Sequence, residues 1–230
     1  MESNFTIGNI FSKGWSIFAK NWLVLVGLLV VYLIISVIIP EFSGISLDYE
    51  SISRNPEDVF LLLKEMYQDS GYYIDQLISF LLSAFFTLVF TKALLDAYDE
   101  QELTFYFNFK KLFYLFVVFI LYFIIVIIGL IAFIIPGIYL AIRLQFWSFA
   151  IIDKDANPIE SLKESWRITN GKTVSLLIIL LISIGICIAG FLLFIIGLVP
   201  AIVIVSAAQA VAYKLLTEEC NETLPDNMYE

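Results

Sequence analysis

Two apolar runs constrain this chain more than any other feature. The first reaches from Leu112 to Ile152, 41 residues interrupted by a single charge, Arg143. The second reaches from Val174 to Leu216, 43 residues with only Lys214 inside it. A bilayer core is crossed by roughly 20 apolar residues of helix, whereas 41 residues make a rod of about 60 Å, twice the bilayer. Each run must cross, turn and cross back. Helix breakers mark the expected turns, Pro136-Gly137 in the first run and Gly197 with Pro200 in the second. Two shorter apolar stretches complete a set of six spans, at about 22–39, 72–95, 112–135, 138–152, 174–196 and 200–216. Hydrophobic residues make up 60% of the chain, charged residues 15%, and the mean hydropathy is +0.91. A soluble domain carries roughly 25% charged residues and has too little interior to hide so much apolar surface. The expected fold is all-α: one polytopic membrane domain over 1–230, six transmembrane helices as three hairpins.

Lysine and arginine set the expected orientation. Lys13, Lys20, Lys92, Lys110, Lys111, Lys154, Lys163, Arg167, Lys172 and Lys214 all fall on one side of a six-span threading, against Arg54 and Lys64 on the other. Ten against two places both termini in the cytoplasm. The loop 40–71 is then external, and its many acids fit that side. Asn55-Pro56-Glu57-Asp58 reads as the start of a short external helix. Residues 217–230 are expected as a cytoplasmic tail. No cleavable signal peptide is expected, and the sequons at Asn4 and Asn221 fall on the cytoplasmic side, as chance matches.

An interfacial helix is expected over 5–20, before the first span. Phe11, Trp15, Phe18 and Trp22 share one helical face there. A similar segment precedes the fifth span, with Ile159, Leu162 and Trp166 as its apolar stripe and Glu160, Lys163, Glu164 and Arg167 polar. Asn157 can cap it with Glu160 closing a capping box, and Asn170-Gly171 can end it. Trp15, Trp22 and Trp166 are the expected interfacial anchors. The hairpin turns echo as well: Gly129-Leu-Ile-Ala-Phe133 beside Gly190-Phe-Leu-Leu-Phe194, 61 residues apart. These matches suggest a unit of cytoplasmic interfacial helix plus hairpin used three times, the middle copy opening at Thr104.

The stretch 135–172 carries a family resemblance. Ile135-Pro136-Gly137 is followed by Asp153, by Pro158-Ile-Glu-Ser161-Leu-Lys-Glu-Ser165-Trp166, and by Gly171-Lys172. This order resembles small bacterial integral-membrane proteins: the membrane domain found ahead of some glycerophosphodiester phosphodiesterases, and the YciC-type inner-membrane proteins. The resemblance implies a bacterial inner-membrane location and a helical membrane fold. The chain reaches Glu230 only 14 residues past the last expected span, so no hydrolase segment is expected and the phosphodiesterase activity is not implied.

Candidate chemistry is sparse. The chain has no histidine, the commonest general base and transition-metal ligand. Its net charge of −9 and lack of a basic tract exclude nucleic acid as a partner. Cys187 and Cys220 read as free thiols. Ser161 and Ser165, four apart with no base beside them, read as helix-surface residues. Lys92 and Asp96 read as a solvated local pair. Ser183, Gly185, Ala189 and Gly190, with Ser206, Ala207, Ala208, Ala210 and Ala212, suit close helix packing. Arg143 remains, inside a span, where an arginine costs about 2.5–3.5 kcal/mol on insertion scales. It is expected in the bundle interior, near Gln145 or Gln209, either as a structural residue satisfied by carbonyls, those glutamines or a tyrosine, or as a lipid or anion contact. Neither cofactor nor metal is expected. The leading expectation is a non-enzymatic membrane interaction or scaffold module with membrane lipids as partners, leaving open a protein partner or a homo-oligomer. The alternative is a small-solute or lipid transporter with Arg143 in a polar intramembrane site.

Overall fold

The structure, a computed structural model, describes residues 5–42, 70–103, 107–193 and 197–223. Its elements are helical: α1 (Ile7–Phe42), α2 (Ser70–Tyr98), α3 (Phe109–Ala132), α4 (Ile134–Leu144), α5 (Trp147–Lys154), α6 (Pro158–Ile168), α7 (Thr173–Leu192) and α8 (Leu198–Thr223). Six stretches are long and apolar enough to cross a membrane, with α4 and α5 together forming one from Ile134 to Lys154. The chain is an all-α, multi-pass membrane protein. The expected external helix beginning at Asn55, and most of the loop 40–71, lie outside the described residues. The ends of that loop are helical, since α1 runs to Phe42 and α2 starts at Ser70.

Two compact units divide the chain. One comprises 30–86, the adjoining halves of α1 and α2. Within it the rings of Tyr32 and Phe86 stack with centroids 4.3 Å apart. The other comprises 1–29 and 87–230 and contains every candidate site residue. Its core gathers Leu88, Val89, Leu115, Val118 and Ile151, with Leu28, Tyr114, Trp147 and Leu162 packed around them.

Both tight turns lie a few residues before their prolines. The first chain reversal is at Phe133, in extended backbone, and Pro136-Gly137 belongs to the first turn of α4. Proline is tolerated there because the N–H it lacks would have no helical partner anyway. Glycine does the turning work. A Cβ on Gly137 would come within 2.7 Å of the Leu130 backbone nitrogen, and one on Gly129 within 3.0 Å of Gly137 Cα. The second reversal repeats this: α7 stops at Leu192, short of the expected 196, and a Cβ on Gly190 would meet the Gly197 carbonyl oxygen at 2.7 Å. In both turns an N–H four or three residues on, Phe133 or Leu193, donates back to the first glycine's carbonyl.

The expected interfacial helices fare unequally. The first is set off from its span: the backbone of α1 leaves helical geometry at Asn21, dividing a helix that starts at Ile7 from the span expected at 22, and the Asn21 side-chain amide donates to the Ile17 carbonyl. Its buried face is Ile10, Gly14, Ile17 and Leu25. The aromatic face points outward, with Trp15 58% and Trp22 52% exposed. Close packing explains this. A Cβ on Gly14 would lie 3.0 Å from the Ala208 backbone, an approach only small residues permit, so the bulky rings face away from the protein. The middle copy has no separate helix among the described residues before α3, since Asn108 caps α3 directly, accepting from the Lys110 and Lys111 N–H groups. The last copy is present as α6. Asn157 and Glu160 form the expected capping box around Pro158, and Gly171 follows the helix in the left-handed region at φ +73°.

The last helix α8 runs on to Thr223, so the first residues of the expected tail continue it. One further expectation is corrected. In α7, Gly185 and Ala189 face outward and Gly185 has open space around it, whereas the alanines 207, 208, 210 and 212 of α8 are buried as expected. The helix α6 buries its small residues Ser161 and Ser165, with Thr169 just beyond its end, and leaves Ile159 and Trp166 of the expected apolar stripe exposed, as an interfacial face would be.

Candidate functional site

The break between α4 and α5 is where the polar chemistry concentrates. The membrane stretch from Ile134 is interrupted after Leu144, and Gln145 and Phe146 are not helical. A broken helix frees backbone groups that lipid cannot satisfy. Here α6 satisfies them. The Ser165 hydroxyl accepts the Phe146 N–H at 3.1 Å and donates to the Arg143 carbonyl at 2.9 Å. The Thr169 hydroxyl lies 2.7 Å from the Ser165 carbonyl and 3.1 Å from the Arg143 carbonyl, so its one proton is shared between them. Both side chains are fully buried. The helix-surface expectation for Ser161 and Ser165 is therefore wrong. Residues 161, 165 and 169 recur every four positions along one face, a signal present in the sequence. Small side chains on that face let α6 approach the break closely enough to bond it.

Arg143 sits at the C-terminal end of α4, where the helix dipole favours a cation. It is 2% exposed, in the interior as expected. Its neighbours are not the expected glutamines. Its Nη1 donates to Asn170 Oδ1 at 3.4 Å, a long bond, and its Nε is buried without a partner. The guanidinium lies 4.2 Å from the Trp166 ring centroid and 5.8 Å from that of Tyr139. A desolvated cation–π contact contributes roughly 2 kcal/mol or more. Gln145 follows α4 as its cap residue, half-buried. Gln209 lines a separate apolar groove between α7 and α8, with Leu180, Ser183, Cys187 and Val205. The Ser183 hydroxyl there is buried without a partner. Arg143 and Trp166 thus come together, and Asn170 and Tyr139 join them. Gln145 and Gln209 make no bond to Arg143.

A second set of charges ties helix ends together. Lys214 bridges Asp99 and Asp153 at 2.9 Å each, and Tyr213 donates to the same Asp153 at 3.1 Å. Lys111, only 6% exposed, donates to the Ile152 carbonyl at 2.9 Å and pairs with Asp155, so it caps the end of α5. Lys20 pairs with Glu100 and Lys172 with Glu219. Lys92 and Asp96 pair as expected, but the Asp96 side is buried, so the pair is only partly solvated. Glu164 accepts from both Lys154 and Arg167. Burial alone would raise its carboxyl, yet the Arg167 and Lys154 bonds outweigh that and hold it below the usual range. These groups come from the ends of α2, α5 and α8, the starts of α3 and α7, the first part of α1 and the helix α6. All of these ends gather on one face of this unit.

Residues 104–218, half of the chain, match a family described as a domain of unknown function, DUF7847. The chain belongs to this family. The matched region contains α3 to α7 and most of α8, hence both glycine turns and the whole Arg143 cluster. No curated protein and no solved structure matches the chain.

Proposed function

We propose that this DUF7847 protein is a non-enzymatic membrane interaction or scaffold module of a bacterial inner membrane. Both termini lie in the cytoplasm, and membrane lipids are its first partners. One observation carries the reading: apart from Arg143, the buried polar groups at the spans and their ends hold the architecture together. Ser165 and Thr169 bond a broken helix, Lys111 caps α5, and Lys92 and Asp96 pair with each other. An enzyme or a solute path needs such groups turned toward a substrate. The outward aromatic face of α1 and the exposed Trp166 supply contacts suited to the headgroup region. Native mass spectrometry of protein released gently from membranes tests this. Specifically retained lipid is expected; a protein that sheds all lipid with no change in melting temperature overturns the reading. The transporter reading keeps one supporting observation, the unpartnered Ser183 hydroxyl in the groove shared with Gln209. Solute flux in proteoliposomes that disappears in Gln209→Leu would favour it.

A further inference from the structure

We infer that Arg143, with Asn170, is a receptor for a phosphate group, and that the Trp166 ring covers it when it is empty. The inference rests on the lipid-binding reading above and names its ligand chemistry. It starts from an imbalance. A guanidinium carries five N–H donors in a planar fork and keeps its charge at any relevant pH. Arg143 is 2% exposed, yet among the described residues it has one long bond, to Asn170, and no carboxylate partner. Its Nε is buried with nothing to donate to. Every other buried cation here is matched: Lys111 has a carbonyl and a carboxylate.

The faces of Trp166 and Tyr139 compensate the charge only in part. A π face attracts the cation but takes none of its in-plane N–H bonds. A tetrahedral oxyanion takes two at once. Trp166 is itself 41% exposed and Tyr139 40%, so neither ring is locked in the interior. The position favours a headgroup. Asn170 is exposed, in the turn between the charged helix α6 and the apolar helix α7. Tryptophan and tyrosine concentrate at that depth. Ile138, next in the chain to Tyr139, and Val174, four residues after Asn170, are apolar and 43% and 72% exposed.

The test uses the full chain with Trp15, Trp22 and Trp147 changed to Phe, so that Trp166 alone emits. The protein in neutral detergent is titrated with phosphatidylglycerol, with phosphatidylcholine, and with inorganic phosphate. A saturable change in emission is expected as the ring leaves the guanidinium. Arg143→Gln should weaken binding at least roughly tenfold, and Arg143→Lys, which keeps the charge but loses the fork, by an intermediate factor. Response to phosphatidylglycerol alone identifies a lipid headgroup; response to inorganic phosphate as well identifies a free anion. No response to any of the three in the wild-type background overturns the inference, as does an unchanged titration in a folded Arg143→Gln. Retained lipid in native mass spectra of Arg143→Gln, equal to wild type, would remove this site and leave the membrane-module reading standing.

Discussion

Ser165 makes more of this fold than its size suggests. Its hydroxyl serves the Phe146 N–H and the Arg143 carbonyl together, both at the helix break. Leaving one buried backbone group unpaired costs about 1–3 kcal/mol. Ser165→Ala should therefore lower stability by about 1–3 kcal/mol, read as a drop in melting temperature in detergent. An unchanged melt would mean that water or another side chain replaces the hydroxyl. Glu164 gives a pH-dependent counterpart. Its carboxyl is held below the ordinary range in the folded protein, so its contribution is present in full above the unfolded carboxylate's pKa. It is lost as pH falls through the lowered folded value. Wild type should exceed Glu164→Gln in stability at neutral pH, and the two melts should converge on acidification. A gap that widens toward acid would contradict the sign.

At the level of helices, glycine has opposite meanings at two positions. Gly137 is held against Leu130 by the α3–α4 turn, with backbone 2.7 Å from where a Cβ would stand. Gly185 of α7 faces open space. Glycine within a helix is less stable than alanine by roughly 0.5–1 kcal/mol unless packing demands it. Gly185→Ala should therefore stabilise slightly, while Gly137→Ala should destabilise by forcing the hairpin apart. Paired thermal melts decide it, and equal effects of both substitutions would remove the packing argument. The same contrast separates the repeat's two halves. The hairpin turns recur with their glycine contacts, whereas the pre-span helix is set off by a kink at Asn21 in the first copy, is a separate helix, α6, in the last, and is absent among the described residues before α3.

For the whole molecule, threading is the quantity to measure. The ends of α5 and α8 pair with the starts of α3 and α7 through Lys111–Asp155 and Lys172–Glu219, and the ends of α2 and α8 pair with each other through Lys214–Asp99. In the proposed orientation this face, rich in lysine and arginine, is the cytoplasmic one, as the positive-inside bias expects. In a protein with Cys187 and Cys220 replaced, a cysteine introduced at Ser46 should react with an impermeant reagent in intact cells. One introduced at Asn227 should react only after permeabilisation. Labelling at 227 in intact cells would overturn the orientation.

Length and pattern alone determined the number of crossings, because no apolar run of 41 or 43 residues fits a bilayer in one pass. They also determined the capping of α6, because Asn157, Pro158 and Glu160 act within a single turn. Local signals of this kind need no neighbour. The positions of the turns and the buried serine face of α6 depended on which backbones approach most closely. That is decided by glycine and alanine contacts between segments far apart in the chain, such as Gly14 against Ala208. The sequence marked Arg143 as a cost. Only the tertiary structure chose its company, because Asn170 and Trp166 reach it through the fold of α6 against the break, 27 and 23 residues away in the chain.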